Sequence, residues 1–396
     1  MSLPSVADLF TQQEGLIYLN SGSHSRTPLE VLSAVEHYLR EYEKNPTYSL
    51  LRASEKLWDV QTRVAEFFGA QPEDVFLRPN VTLPLNNFIL DLKLPIHSEI
   101  LTSDLEYGAI ANLVRFRAER DGLRTRTLTL PASSEEFLKV DSTALAKLVI
   151  DELRPETSLL VLSHVMTGTG LTLPLAEIAK VTRERGILLV IDGAHAPGAL
   201  ELDFKKLDDV DFYAGNLHKW MMAPKGTAFG WVHPSKQHLI QPSCAGWMTY
   251  EWPPPFKNFA PGSEFGRTFL MTGCFDFAPY FAIDECLKFW KRLGPENIRH
   301  RIFELQSYAE NLMTQKLGWK PLSPPQGSMR GPLLSFEVPE KLQAKDGLEL
   351  VYELVDQHKL QIMMTMVRGR SALRLSPHIY NTESEINRAV EILKTL

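Results

Sequence analysis

The sequence predicts an α/β protein, a mostly parallel sheet covered by helices, followed by a smaller α+β unit. Three observations predict it. Strand-like and helix-like segments alternate from residue 74 to residue 232, the pattern of βαβ units. The run Gly186-Ile187-Leu188-Leu189-Val190-Ile191 is short, continuous and rich in branched apolar residues, as a parallel strand buried on both faces should be. The chain has 396 residues, 44% hydrophobic and 23% charged, enough for one large α/β domain and a smaller companion.

Asp74–Leu77 reads as a strand and Thr82–Leu92 as a helix, with Pro84 tolerated in its first turn. Glu99–Thr102 is a strand, Tyr107–Arg120 a helix, Arg124–Leu130 a strand and Ser142–Leu153 a helix. Ser158–Ser163 is a strand, Pro174–Arg185 a helix and Gly186–Ile191 the buried strand. Strands near Asp209–Ala214 and Thr227–Val232 close the series. Glu251-Trp252-Pro253-Pro254-Pro255-Phe256 excludes regular helix or central strand and reads as a loop or connection. From Asp276 a long helical stretch begins. A strand at Gly331–Glu337, a helix at Leu348–His358, a strand at Ala372–Ser376 and a helix at Glu383–Leu396 follow.

A net charge of −6 argues against a general nucleic-acid binder. Arg115, Arg117, Arg120, Arg124 and Arg126 form one basic run, interrupted by Glu119 and Asp121, and read as a solvated helix face. Cys244, Cys274 and Cys286 lack metal-binding spacing and cannot all pair, which fits free thiols in a reducing compartment. The N-terminus lacks the pattern of a signal peptide, and no apolar run reaches the length of a membrane span. A cytoplasmic protein without nucleic-acid or membrane partners is expected.

Asp192 directly follows the buried strand, and a carboxylate there needs a cationic partner. Lys219, in Asn216-Leu217-His218-Lys219, follows the next apolar run. An Asp and a Lys on neighbouring strand ends can face one ligand from two sides. Pyridoxal phosphate asks for that pair: a lysine for the Schiff base and an acid for the pyridine nitrogen. A turn, a surface lysine or a structural salt bridge would leave the same residues.

Ligands of such sheets bind beyond the C-terminal strand ends, where Asn80, Tyr107, Asp192 and Lys219 fall. Asn80-Val81-Thr82 sits between strand and helix, as a phosphate site at a helix N-terminus or simply a cap. Tyr107 would stack on a flat ring or pack on its own helix. His195 could donate to a phenolic oxygen, and His218 could stack or relay a proton. Neither has metal-site spacing, so no metal is expected. Arg374, alone in the apolar strand Ala372-Leu373-Arg374-Leu375, wants a planar anion, either an amino-acid carboxylate or an internal acid. Gly168-Thr169-Gly170 lacks the lysine of a nucleotide-binding loop.

In this order the residues resemble the fold-type I, class V aminotransferases, and within them the isopenicillin N epimerase-like group. The resemblance runs from Tyr18-Leu19-Asn20-Ser21-Gly22 through Asn45-Pro46, Asn80-Val81-Thr82 and Glu106-Tyr107-Gly108-Ala109. Asp192-Gly193-Ala194-His195-Ala196-Pro197-Gly198 and Gly215-Asn216-Leu217-His218-Lys219-Trp220 carry most of it. Ala223-Pro224-Lys225-Gly226, Leu373-Arg374-Leu375-Ser376 and Tyr380-Asn381-Thr382 complete it.

The resemblance implies a large domain over residues 16–262, with a mostly parallel seven-stranded sheet. Residues 1–15 and 263–396 would form a small α+β domain. It implies pyridoxal 5'-phosphate as cofactor, an amino acid as substrate and a homodimer with sites at the interface. Lys219 would be the Schiff-base lysine and the base at the substrate Cα. Asp192 would pair with the pyridinium, His195 would meet the phenolic oxygen, and Tyr107 would stack. Val81, Thr82, Asn216 and His218 would surround the phosphate, and Arg374 would take the substrate carboxylate. After Cα–H removal, the outcome is epimerisation, or β-elimination at a C–S bond in the manner of a lyase or desulfurase. A catalytically idle binder is the rival class. The Met-rich loop Met363–Arg370 and the aromatic region Trp247–Phe259 suggest a partly apolar pocket.

Two departures stand out. The family's Gly-Thr-Arg-Asp segment, which reaches the neighbouring subunit's phosphate, reads here as Gly273-Cys274-Phe275-Asp276. The loop Met363–Arg370 has no cysteine, where class V cysteine desulfurases carry their persulfide nucleophile.

Overall fold

The computed structural model describes residues 6–250 and 263–396. The tripled proline at Pro253-Pro254-Pro255, and most of the aromatic region Trp247–Phe259, lie outside the described residues.

Twelve strands are present among the described residues. They are β1 Ile17–Tyr18, β2 Val75–Arg78, β3 Glu99–Ser103, β4 Arg124–Leu128, β5 Thr157–Ser163 and β6 Leu188–Asp192, then β7 Phe212–Asn216, β8 Ala228–Val232, β9 Leu334–Glu337, β10 Leu360–Gln361, β11 Met363–Val367 and β12 Arg370–Leu375.

Seven of them form the main sheet, in the order β2-β8-β7-β6-β5-β3-β4. Only β8 runs against its neighbours; the remaining pairings are parallel. β2, β3, β7 and β8 are buried along their whole length, and β5 and β6 nearly so, while the edge strand β4 is open to water except at its last residue. Each fully buried Leu, Ile or Val of these strands contributes about 1.5–3 kcal/mol of burial free energy. Leu159, Val161 and Val190 pack one face of the sheet; Leu160, Leu162, Leu189 and Ile191 pack the other.

The expected strands and crossover helices are present, with ends moved by at most three residues. The helical stretch expected from Asp276 is three helices, Ala278–Phe281, Ile283–Leu293 and Pro295–Leu317. Gly294, at φ 82°, and Pro295 divide the last two. Two long helices are not among the expected elements, Leu29–Lys44 and Pro46–Phe67; the second starts with a proline in its first turn under an Asn45 side-chain cap.

The segment Met363–Arg370, expected as a loop, is instead a strand and a tight turn. β11 pairs antiparallel with β12, and β12 pairs with β9. Arg368 and Gly369, at φ 48° and 77°, make the hairpin turn. Their sheet has its own apolar core with Leu305, Leu354 and Ile386, which also takes in Ile17 of β1 and Leu19 just after it. β1 pairs parallel with β10.

The basic run is not one solvated face. Arg117 is buried and donates to the carbonyls of Leu90 and Leu92, while Arg126 pairs with Glu99 and Glu152. No helix among the described residues is long and apolar enough to cross a membrane.

Candidate active site

The parallel strands open at their C-terminal ends onto a cavity of about 640 Å³. β5 delivers Ser163, β6 delivers Asp192 and β7 delivers Asn216 to its floor. Val81, Thr82, Tyr107, His195, Lys219 and Arg374 line its walls. Nine of the residues singled out from sequence, Asn80 included, therefore share one space. His218 does not line it. Its Nδ1 faces the Thr227 carbonyl at 2.9 Å, and its ring meets His24 edge-on with centroids 5.2 Å apart. His24 is the imidazole on that side of the cavity.

Asp192 ends β6 between Ser163 and Ala214 and is 4% exposed. Its Oδ1 accepts from the Ala194 N–H at 2.9 Å. Burial pushes its carboxyl up, against the opposing pull of that N–H and of Lys219. Lys219 is the cation whose charge acts on it across the cavity. A buried carboxylate facing a cavity is suited to a protonated ring nitrogen.

Lys219 Nζ lies 3.3 Å from His195 Nε2. Burial lowers its ammonium to about 8, with Arg374 adding to the effect and Asp192 opposing it. A lysine so placed carries a useful fraction of free amine at neutral pH.

His195 Nδ1 accepts from Trp220 Nε1 at 3.3 Å, and Nε2 lies 3.2 Å from Thr167 Oγ1. Burial, then Lys219 and Arg374, holds this imidazole neutral.

Val81 caps the helix Thr82–Asp91 and gives its N–H to Asn216 Oδ1 at 3.2 Å, while Asn80 Oδ1 accepts from Leu83 at 3.4 Å. The helix entry is thereby tied to the end of β7, with Thr82 left facing the cavity. A helix N-terminus so placed is suited to an anion. Tyr107 precedes the helix Gly108–Asp121 and is 55% exposed.

Arg374 is 5% exposed. Nη1 donates to Thr167 Oγ1 at 2.9 Å and to its carbonyl at 3.3 Å; Nη2 donates to Ser23 Oγ at 3.1 Å and to Asn20 Oδ1 at 3.4 Å. Nε has no partner. Burial lowers the guanidinium only to about 10, so it stays charged at neutral pH. All these partners are neutral, which leaves a buried cation suited to a carboxylate.

Sequence reasoning missed Thr167, Ser163 and His24. Thr167 lies four residues past the end of β5, where the strand-end rule would have pointed. It also missed the role of Glu106. The Glu106 carboxylate accepts from the Ser163 N–H at 3.0 Å and hydroxyl at 2.6 Å, and from the Ser103 hydroxyl at 2.7 Å. Burial pushes it up to about 7. Gly168-Thr169-Gly170 is a turn in which Gly170, at φ 72°, lies against the Leu333 carbonyl. A Cβ there would approach that oxygen to 2.2 Å, so the glycine serves close packing. No cluster of three or more His, Cys, Asp or Glu among the described residues could hold a metal ion.

The segment Gly273–Asp276 is drawn into aromatic packing. Phe275 packs on Phe277 at 4.4 Å and Tyr280 at 5.2 Å, and Cys274 is exposed beside Tyr42.

The chain is 33% identical to an isopenicillin N epimerase of Streptomyces clavuligerus, over 96% of this chain and 95% of that protein. Its backbone is similar to a C-DES variant with glycine covalently linked to the PLP cofactor, at TM-score 0.86 and 22% identity, covering 99% of both chains. It is also similar to the cystine C-S lyase C-DES in complex with its product cysteine persulfide, at TM-score 0.84 and 24% identity, covering 96% of this chain and 98% of that one. The model of aminotransferase class-V matches residues 17–389, and the chain belongs to that family.

Proposed function

We propose that this protein is a pyridoxal 5'-phosphate enzyme that removes the Cα proton of an amino acid, with epimerisation in the manner of isopenicillin N epimerase as its outcome. The observation that carries the reading is the pairing of a buried carboxylate, Asp192, pushed up by burial, with a depressed lysine, Lys219, across one cavity. When bound, the cofactor supplies an electron sink for the charge left at Cα.

The chain's own residues do the rest. Asp192 holds the ring nitrogen protonated. Thr82 and the N–H groups beside it receive the phosphate, with Val81 and Asn216 fixing that corner. His218 stands behind this wall through His24. His195 gives a hydrogen bond at the phenolic oxygen, and Tyr107 covers the ring. Arg374 takes the substrate carboxylate, and Lys219 takes the Cα proton as general base. The apolar side of the cavity, Ile110, Leu348, Met363, Met364 and Met366, faces the substrate side chain.

A second reading, β-elimination at a C–S bond, draws on the backbone likeness to the cystine C-S lyase. It shares the first proton transfer. The protein works as a homodimer; Leu32, Leu39, Tyr48 and Leu51 stand exposed on the helices Leu29–Lys44 and Pro46–Phe67, a face suited to a second copy. Three free cysteines support a cytoplasmic setting.

The test is the absorbance of the purified protein with pyridoxal phosphate, before and after a panel of L-amino acids in D₂O. The expected result is a visible band that one class of amino acid shifts, with deuterium entering Cα. Inversion of that carbon assigns the epimerase, and release of a sulfur product assigns the lyase. A band that no amino acid alters, with no exchange, makes the protein an idle binder and refutes the proposal.

A further inference from the structure

The His195 imidazole has two nitrogens in different surroundings. Nδ1 faces the interior and meets the indole Nε1 of Trp220 at 3.3 Å. Nε2 faces the cavity, between Lys219 Nζ at 3.3 Å and Thr167 Oγ1 at 3.2 Å. An indole nitrogen can only donate, so Nδ1 must carry a lone pair. A ring without charge then has its single proton on Nε2.

We propose that Trp220 is a positioning residue that fixes the tautomer of His195, making the imidazole an obligate Nε2–H donor into the cavity. The indole is itself immobilised. Trp220 is fully buried and stacks on His378, with centroids 5.6 Å apart and planes 20° from parallel. His378 Nδ1 accepts from the Ile379 N–H at 2.8 Å, so its Nε2–H donates to the Trp220 carbonyl at 3.0 Å. Gly198, at φ 87°, lies so close to the Trp220 backbone that a Cβ there would come within 2.8 Å of it. The indole therefore cannot turn its N–H away without breaking this packing.

The consequence reaches two groups. Thr167 accepts from Arg374 Nη1 at 2.9 Å and stands at the His195 donor, so one hydroxyl joins the carboxylate-binding arginine to the donor. Lys219 faces an N–H rather than a lone pair, which disfavours its ammonium form. The other charged or titratable groups near this pair are Asp192 on β6, Arg374 on β12, Tyr107, His24 and His218. The catalytic meaning of the donor, at the cofactor's phenolic oxygen, rests on the function proposed above; the tautomer itself does not.

The test is nitrogen NMR of protein labelled with ¹⁵N-histidine, with and without pyridoxal phosphate, His195 being assigned by its loss in His195→Asn. The expected spectrum shows Nδ1 unprotonated and Nε2 protonated. A protonated Nδ1 overturns the proposal whatever the cofactor does. Trp220→Phe keeps the stack on His378 and removes the indole N–H. The His195 signals should then become those of mixed tautomers, and the Lys219 titration in cofactor-free protein should move up by about one pH unit, tenfold in proton affinity. An unchanged tautomer in that variant also overturns the proposal, because a merely structural tryptophan would leave the protonation pattern alone. Should the variant not fold, the coupling across the N–H···N bond in unaltered protein decides between the same two results. A failed amino-acid panel alongside the expected tautomer would sink the function and leave this inference standing.

Discussion

Lys219 in cofactor-free protein should titrate near pH 8 rather than near the ordinary lysine value of 10.5. Burial drives the change; Arg374 adds to it and Asp192 opposes it. At pH 7.5 a group with a pKa of 8 is about one quarter free amine, against about one part in a thousand for an ordinary lysine. The site thus offers roughly 200-fold more nucleophile than an exposed lysine. The same depression disfavours the folded state by about 3 kcal/mol below pH 8, a penalty relieved as pH rises toward the unfolded value. Reductive methylation with ¹³C-formaldehyde gives a resonance whose shift follows the charge, and Lys219→Ala identifies it. Asp192→Asn should lower the midpoint further, because it removes the anion that favours the ammonium. A midpoint near 10, or one that rises in Asp192→Asn, refutes the reasoning.

Two further predictions concern groups on either side of the cavity. Arg374→Ala should weaken substrate binding by about 1.5–3 kcal/mol, the usual worth of a hydrogen bond to a charged group, which is roughly 10- to 150-fold. Cofactor affinity should stay nearly constant; equilibrium binding of substrate and cofactor checks both, and unchanged substrate affinity makes Arg374 structural. Glu106 has a folded value near 7 against an ordinary 4.5, so the folded state holds a proton that the unfolded state gives up between those values. Its contribution, about 3 kcal/mol, is fully present below pH 4.5 and is lost as pH rises through 7. Glu106→Gln cannot titrate, so urea midpoints measured from pH 4.5 to 7 should lose that downward slope; parallel profiles for the two proteins would count against the buried-carboxyl reading.

Much of the fold is legible because its signals are local. Leu188–Ile191 announces a buried strand by continuous apolar residues, and Asp192 announces its end by charge. Where the local signal is ambiguous, the structure departs from the expectation. Met363-Met364-Thr365-Met366-Val367 has no clean polar alternation because residues on both faces of β11, Met363 to Met366, line the cavity, while Met364 and Val367 also pack into apolar cores. Periodicity alone could not separate that from a loop. The turn Arg368-Gly369 was the better guide, since only a hairpin needs two successive residues at positive φ there.

The site divides along the same line. Lys219 and Asp192 are legible because a charge beside a buried strand has few explanations. Thr167 is not, because its worth comes from Arg374, brought to it by β12 from more than two hundred residues away. Trp220 sits beside Lys219 in sequence, yet its hydrogen bond to His195 arises only when the loops after β6 and β7 close on each other at Gly198. The Gly273–Asp276 departure makes the converse point. The sequence resemblance puts a phosphate contact in doubt at Cys274 and Phe275. Packing shows Phe275 given over to an aromatic cluster with Phe277 and Tyr280. Partial burial of the Phe275 ring against these neighbours holds the segment in place. Restoring threonine and arginine at 274 and 275 would therefore remove an aromatic anchor as well as add a cation.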